Sequence, residues 1–123
     1  MIPWMQRLAA LPIDFIEEPC VDSHLLLETE PLPCPIALDE SLIALDPAQL
    51  SRALRSPSLA ALVLKPTLLG GFARCLQLAA VAHDHGKAAI TSHTLEGPIG
   101  YAACMELARI IGDRSPAGLG PYL

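Results

Sequence analysis

Short apolar runs recur along the chain, and each is closed by charged or polar residues. Ile13-Asp14-Phe15-Ile16 ends at Glu17-Glu18-Pro19, and Pro35-Ile36-Ala37-Leu38 ends at Asp39-Glu40-Ser41. Ala61-Leu62-Val63-Leu64 ends at Lys65-Pro66, and Ala88-Ala89-Ile90-Thr91 ends at Ser92-His93. Brief apolar runs bounded by turn residues predict buried strands, the first of them starting at Pro12. Between them the period becomes helical. Asp46-Pro47-Ala48-Gln49 supplies an N-cap followed by proline, and Leu50, Ala53 and Leu54 give the next helix one apolar side. Gly70-Gly71 opens a stronger helix, with Phe72, Cys75, Leu76, Leu78, Ala79 and Ala82 at helical spacing until Gly86 stops it. A second clear helix runs from Ile99 to Ile111 and ends at Gly112. Trp4 to Ala10 reads as the tail of a helix, Val21 to Glu30 as a leucine-rich connection, and Ala117-Gly118-Leu119-Gly120 as a truncated fifth strand.

Glu17 to Asp39 is 22 residues, Asp39 to Lys65 is 26, and Lys65 to Ser92 is 27. A parallel crossover needs a dozen or more residues between strands, so each interval holds one strand-plus-helix unit. Regular β-α alternation predicts an α/β fold with a parallel sheet and right-handed crossovers. Two architectures fit: a free-standing doubly wound domain, or roughly half of a (β/α)8 barrel. In both, Glu17, Asp39 and Lys65 emerge at the carboxyl edge of the strands, where such folds do their chemistry. Two carboxylates and a lysine there predict a divalent metal beside an acid/base or electrostatic lysine. Magnesium suits this set, because it takes hard oxygen ligands and stabilises the enolate left when a proton leaves the carbon beside a carboxylate.

Composition narrows the picture. A chain of 123 residues makes one domain at most, here taken as residues 1–123. The 52% hydrophobic and 17% charged fractions suit helices packed on a buried parallel sheet. The net charge of −5 argues against nucleic acid and anionic membrane as partners. No run approaches a membrane span, and the start lacks the basic head and apolar core of a signal peptide. Cys20, Cys34, Cys75 and Cys104 form no C-x-x-C, which points to reduced thiols in a cytoplasmic protein. His83-Asp84-His85 resembles a metal cluster but falls at a helix end before Gly86, where solvated histidines are favoured by the dipole.

Four segments together resemble the enolase superfamily, in its muconate-lactonizing-type branch, and within it the o-succinylbenzoate synthases. They are Phe15-Ile16-Glu17-Glu18-Pro19-Cys20, Leu38-Asp39-Glu40-Ser41-Leu42, Leu64-Lys65-Pro66-Thr67-Leu68-Leu69-Gly70-Gly71 and Thr91-Ser92-His93-Thr94-Leu95-Glu96-Gly97. The resemblance implies a partial (β/α)8 barrel, roughly strands 4 to 8, without the capping domain and first barrel strands. It makes Glu17 and Asp39 magnesium ligands, Lys65 the lysine facing a small carboxylate substrate, and Ser92, His93 and Gly118 substrate neighbours. Glu40 would support the ligands from behind. The superfamily's third metal ligand and its partner lysine have no counterpart in this chain. The implied reaction is a magnesium-assisted dehydration through an enediolate in menaquinone biosynthesis, not performed by this chain alone. Alternatives are an N-acylamino-acid racemase or dipeptide epimerase of the same superfamily, or a non-catalytic half-barrel. The expected partner is a complementary amino-terminal half or a second copy.

Overall fold

The computed structural model describes residues 3–29 and 31–120, so Glu30, the expected end of the leucine-rich connection, lies outside it. The elements in chain order are α1 (Pro3–Leu8), β1 (Ile16–Glu17), β2 (Ile36–Leu38), α2 (Pro47–Arg55), β3 (Leu59–Leu64), α3 (Pro66–Leu69), α4 (Phe72–Asp84), β4 (Ala88–Thr91) and α5 (Pro98–Ile111). Two 3-10 turns, Ser23–Glu28 and Glu40–Ile43, follow β1 and β2. The residues fall into two units, 1–60 and 61–123, with the start of β3 in the first and most of it in the second.

In the first unit β1 and β2 run parallel, with Ile16 opposite Ile36 and Glu17 opposite Ala37. The expected first strand is cut to its last two residues, and residues 11–14 are exposed. Pro12 has no N–H to give a ladder, and Pro35 has none on the partner segment, so pairing starts where Ile16 N–H reaches Pro35 O at 2.9 Å. Ile36 N–H donates to Ser58 O at 2.9 Å, which ties β2 to the approach to β3. All three β2 residues are buried, as a strand covered on both faces requires. The connection after β1 is a 3-10 turn, not an α-helix, and its Leu27 is buried while Leu25 is exposed. α2 has the expected start. Gln49 N–H donates to Asp46 Oδ1 at 2.7 Å and Asp46 N–H donates to Gln49 Oε1 at 2.9 Å, a reciprocal capping box ahead of Pro47.

In the second unit β3 and β4 are parallel from Ala61–Ala88 to Leu64–Thr91. β3 begins at Leu59, two residues before the apolar run read from the sequence, and Ala60 alone is not fully buried. α4 and α5 pack on β4 and on each other. α4 buries Cys75, Leu78, Ala79 and Ala82, the i, i+3, i+4, i+7 stripe of an amphipathic helix. The short α3 was not foreseen; Gly70, at φ 94°, ends it in the left-handed conformation that favours glycine. The truncated fifth strand is a single parallel bridge between Ser92 and Gly118. Every strand pairing described is therefore parallel and leaves its carboxyl end beside the next, as an α/β repeat demands.

Candidate functional site

In the first unit the register sets two carboxylates at neighbouring strand ends. Glu17 is the last residue of β1, opposite Ala37, and Asp39 follows Leu38 at the end of β2. Glu17 is exposed, whereas Asp39 is 4% exposed; a carboxylate that buried persists only with compensating partners. Between them lies Glu18, which the sequence reading left without a role. Its carboxylate accepts the Asp39 N–H at 2.8 Å, the Ser41 N–H at 3.3 Å and the Ser41 hydroxyl. Glu18 is therefore occupied with backbone and hydroxyl donors. Glu40 is exposed and, with Glu18, Cys20, Val21, Asp22, Ser41 and Ala44, lines an open groove of about 510 Å³.

The second unit presents Lys65 at the end of β3, half-buried and extended, with Pro66 opening α3 behind it. Ser92 continues β4: its N–H donates to Leu64 O at 2.9 Å and its hydroxyl to Gly118 O at 3.1 Å. Gly118 N–H returns a bond to Thr91 O at 2.8 Å. A Cβ at Gly118 would stand 3.0 Å from Ser92 Oγ and 3.2 Å from Ser92 Cβ, so the close approach of these two segments selects glycine. His93 accepts the Leu95 N–H on Nδ1 at 3.1 Å, and its ring meets Tyr101 edge-on at 5.5 Å. In the neutral ring this leaves the proton on Nε2. Tyr101 in turn donates its hydroxyl to the carbonyls of Leu119 and Gly120. The structure thus brings Ser92 and Gly118 into direct contact and braces His93 through Tyr101.

Glu96 is the second group whose role was not foreseen. Its Oε1 accepts from Thr67 at 2.7 Å and from the Thr94 hydroxyl at 2.5 Å, and its Oε2 accepts the Thr94 N–H at 2.8 Å. Partial burial pushes its pKa up, but hydrogen bonds from the Thr94 and Thr67 hydroxyls and from the Glu96 and Thr94 amides win and hold it at about 2. The carboxylate clips the loop after Lys65 to the loop after Ser92 and His93. Leu95, at φ 59°, supplies the turn that brings Glu96 back, and a Cβ at Gly100 would fall 2.6 Å from Glu96 Cβ. Glu96 and Thr67 both stand within the segments that carry the family resemblance, but nothing in a linear sequence pairs them across 29 residues.

At the other end of β4 the expectation of merely solvated helix-end histidines needs correcting. His83 Nε2 lies 2.8 Å from Asp113 Oδ2, the oxygen that also accepts the Ala89 N–H at 2.7 Å. Burial opposes ionisation of Asp113, but the Ala89 and Ser115 amides and His83 outweigh it and lower its pKa. These groups form a brace between α4, β4 and the segment after α5. Among the described residues no three His, Cys, Asp or Glu side chains are grouped to hold a metal. All four cysteines are free thiols. Burial raises the pKa of Cys34, and burial together with the neighbouring Cys104 brings the Cys75 thiol to about 11 against the lowering effect of Arg74. Such thiols are unreactive.

Successive parallel β/α units with polar groups at their carboxyl ends define an α/β fold built on a parallel sheet. The chain belongs to the enolase C-terminal domain-like family, which matches residues 1–119. It is 33% identical over 108 residues to the o-succinylbenzoate synthase of Pasteurella multocida, covering 87% of this chain and 32% of that protein. The crystal structure of MenC from Desulfotalea psychrophila superposes with a TM-score of 0.78 at 32% identity, covering 97% of this chain and 34% of that one. Muconate lactonizing enzyme from Pseudomonas putida superposes with a TM-score of 0.72 at 25% identity, covering 97% and 34%. The chain therefore spans about a third of the length of the curated relatives it matches. The partial barrel read from the sequence agrees with these neighbours.

Proposed function

We propose that the chain is the carboxyl-terminal segment of an o-succinylbenzoate synthase-type lyase, a cytoplasmic enzyme of menaquinone biosynthesis that works when a complementary amino-terminal segment is supplied. What carries this reading is the 33% identity to a synthase over 87% of the chain, with Glu17, Asp39 and Lys65 each at a strand's carboxyl end. The donor set fits magnesium in kind: Glu17 and Asp39 offer hard carboxylate oxygens on adjacent parallel strands. It falls short in number, which is why an added segment is needed. When bound, magnesium would neutralise charge developing on the substrate carboxylate as the neighbouring proton leaves. By the family resemblance Lys65 would be the cation facing the substrate, and the proline that follows it keeps its backbone extended. Ser92 and Gly118 hold the ends of these two segments together through their own hydrogen bonds. Glu96 holds the loops that follow Lys65 and Ser92 in register.

The test is to co-express the chain with the amino-terminal two-thirds of the Pasteurella synthase and follow formation of the aromatic product. Activity should need both pieces and magnesium, and Lys65→Ala or Asp39→Asn should lower kcat by on the order of a hundredfold or more. A folded, co-purifying pair that forms no product contradicts the lyase reading. Incorporation of solvent deuterium into an N-acylamino acid by that pair, without dehydration, would reassign it to the racemase class.

A further inference from the structure

We propose that Glu18 is a positioning residue that sets the spacing of the Glu17 and Asp39 carboxylates; this rests on the magnesium reading above. Four hydrogen bonds join this one residue to the segment 37–41. Its N–H donates to Ala37 O at 3.0 Å, extending the β1–β2 ladder one step beyond Glu17. Its carboxylate then turns back to take the Asp39 N–H, the Ser41 N–H and the Ser41 hydroxyl. The turn requires φ 39° at Glu18, a conformation that non-glycine residues adopt only where the surroundings over-determine it. Pro19 follows immediately and ordinarily drives the residue before it to extended backbone, so the positive φ at Glu18 is held by its hydrogen bonds and not by the proline.

The strap acts on both proposed ligands. Glu17 is its covalent neighbour, and the Asp39 amide is one of its donors. Asp39 itself has an irregular backbone, φ −120° and ψ −91°, as the cap of the 3-10 turn Glu40–Ile43. The Glu18 carboxylate accepts the Asp39 amide at 2.8 Å and so ties the Asp39 main chain to the end of β1. Two oxygen donors on separate strands bind a small cation well only if their separation is held, because magnesium tolerates little departure from octahedral geometry. Glu18 does not donate to the metal in this arrangement. It is one link removed, acting through the main chain at Asp39 and Ser41.

Two readouts on the chain co-expressed with the amino-terminal segment described above test this: Mn2+ binding followed by the electron paramagnetic resonance of the free ion, and amide hydrogen exchange. Glu18→Ala should weaken Mn2+ binding and speed exchange at Asp39 and Ser41 by about tenfold, the weight of one charge-assisted hydrogen bond. Val63 and Ile90, in the second unit, should keep their protection. Glu18→Gln should restore both properties to within about threefold, since its amide oxygen still accepts the backbone N–H groups. Ser41→Ala, which removes only the hydroxyl, gives an intermediate loss and serves if Glu18→Ala does not fold. Unchanged exchange in both Glu18→Ala and Ser41→Ala overturns the strap. Faster exchange with unchanged Mn2+ affinity overturns its positioning role. Equal loss of Mn2+ in Glu18→Gln and Glu18→Ala, with the amides still protected, makes Glu18 a ligand and also overturns the proposal. Failure of the magnesium reading has a different signature: no Mn2+ bound by the wild-type pair, or the same affinity in pairs carrying Glu17→Gln or Asp39→Asn. That result removes the positioning role with it.

Discussion

Replacing Glu96 by glutamine removes a charge that three hydrogen bonds hold, and its effect depends on pH in a way that can be worked out. The carboxyl titrates at about 2 in the folded chain against an ordinary 4.5. A depressed folded-state pKa means the unfolded chain takes up the proton first, so this group stabilises the fold fully above pH 4.5. That contribution is lost as pH falls from about 4.5 to about 2. The full shift would convert to about 3 kcal/mol, but the group is partly solvated, and screening brings the expectation to about 1–2 kcal/mol. Urea unfolding of wild type and Glu96→Gln at pH 6, 4 and 2.5 measures it. The stability gap between the two should be widest at pH 6 and shrink by about 1 kcal/mol or more at pH 2.5. Asp113, also depressed, titrates in both proteins and cancels in the comparison. A gap that stays constant between pH 6 and 2.5 would refute the hydrogen-bonded carboxylate, leaving only a packing role for this side chain.

Two further outcomes check the local geometry. Gly118→Ala should cost about 1 kcal/mol and speed exchange of the residue 118 amide, because the added methyl crowds Ser92 Oγ and Cβ. The cost should fall in a Ser92→Gly background, and equal costs in both backgrounds would show that this contact is not the constraint. Asp46→Ala removes one arm of the α2 capping box and should lower stability by about 1 kcal/mol in urea unfolding, with no effect of magnesium on the difference.

Much of the fold was legible because it depends on local chemistry. A proline after an N-capping aspartate starts a helix wherever it stands, and the reciprocal Asp46–Gln49 bonds realise that reading. The period of Cys75, Leu78, Ala79 and Ala82 likewise needs no knowledge of what the helix packs against. The even spacing of strand ends implied parallel β/α units because a crossover has a minimum length. Strand limits were less legible. β1 shrank to Ile16–Glu17 because a strand ends where its neighbour has no N–H to offer, and that depends on Pro35 in another segment.

The residue types at the candidate site were equally plain in the sequence. Glu17, Asp39 and Lys65 stand out because each is a polar group that closes an apolar run, and each stands at the carboxyl end of its own strand. What only the tertiary structure decided is which of the neighbouring acids do something else. Glu17 and Glu18 look equivalent in Glu-Glu-Pro, yet a left-handed turn commits Glu18 to the Asp39 and Ser41 donors. Glu96 and Thr67 meet, as do His83 and Asp113, through the pairing of β3 with β4 and the return of the chain after α5. A hydrogen bond between residues about thirty positions apart is a property of how strands register, and a linear pattern carries the type of each residue but not its partner.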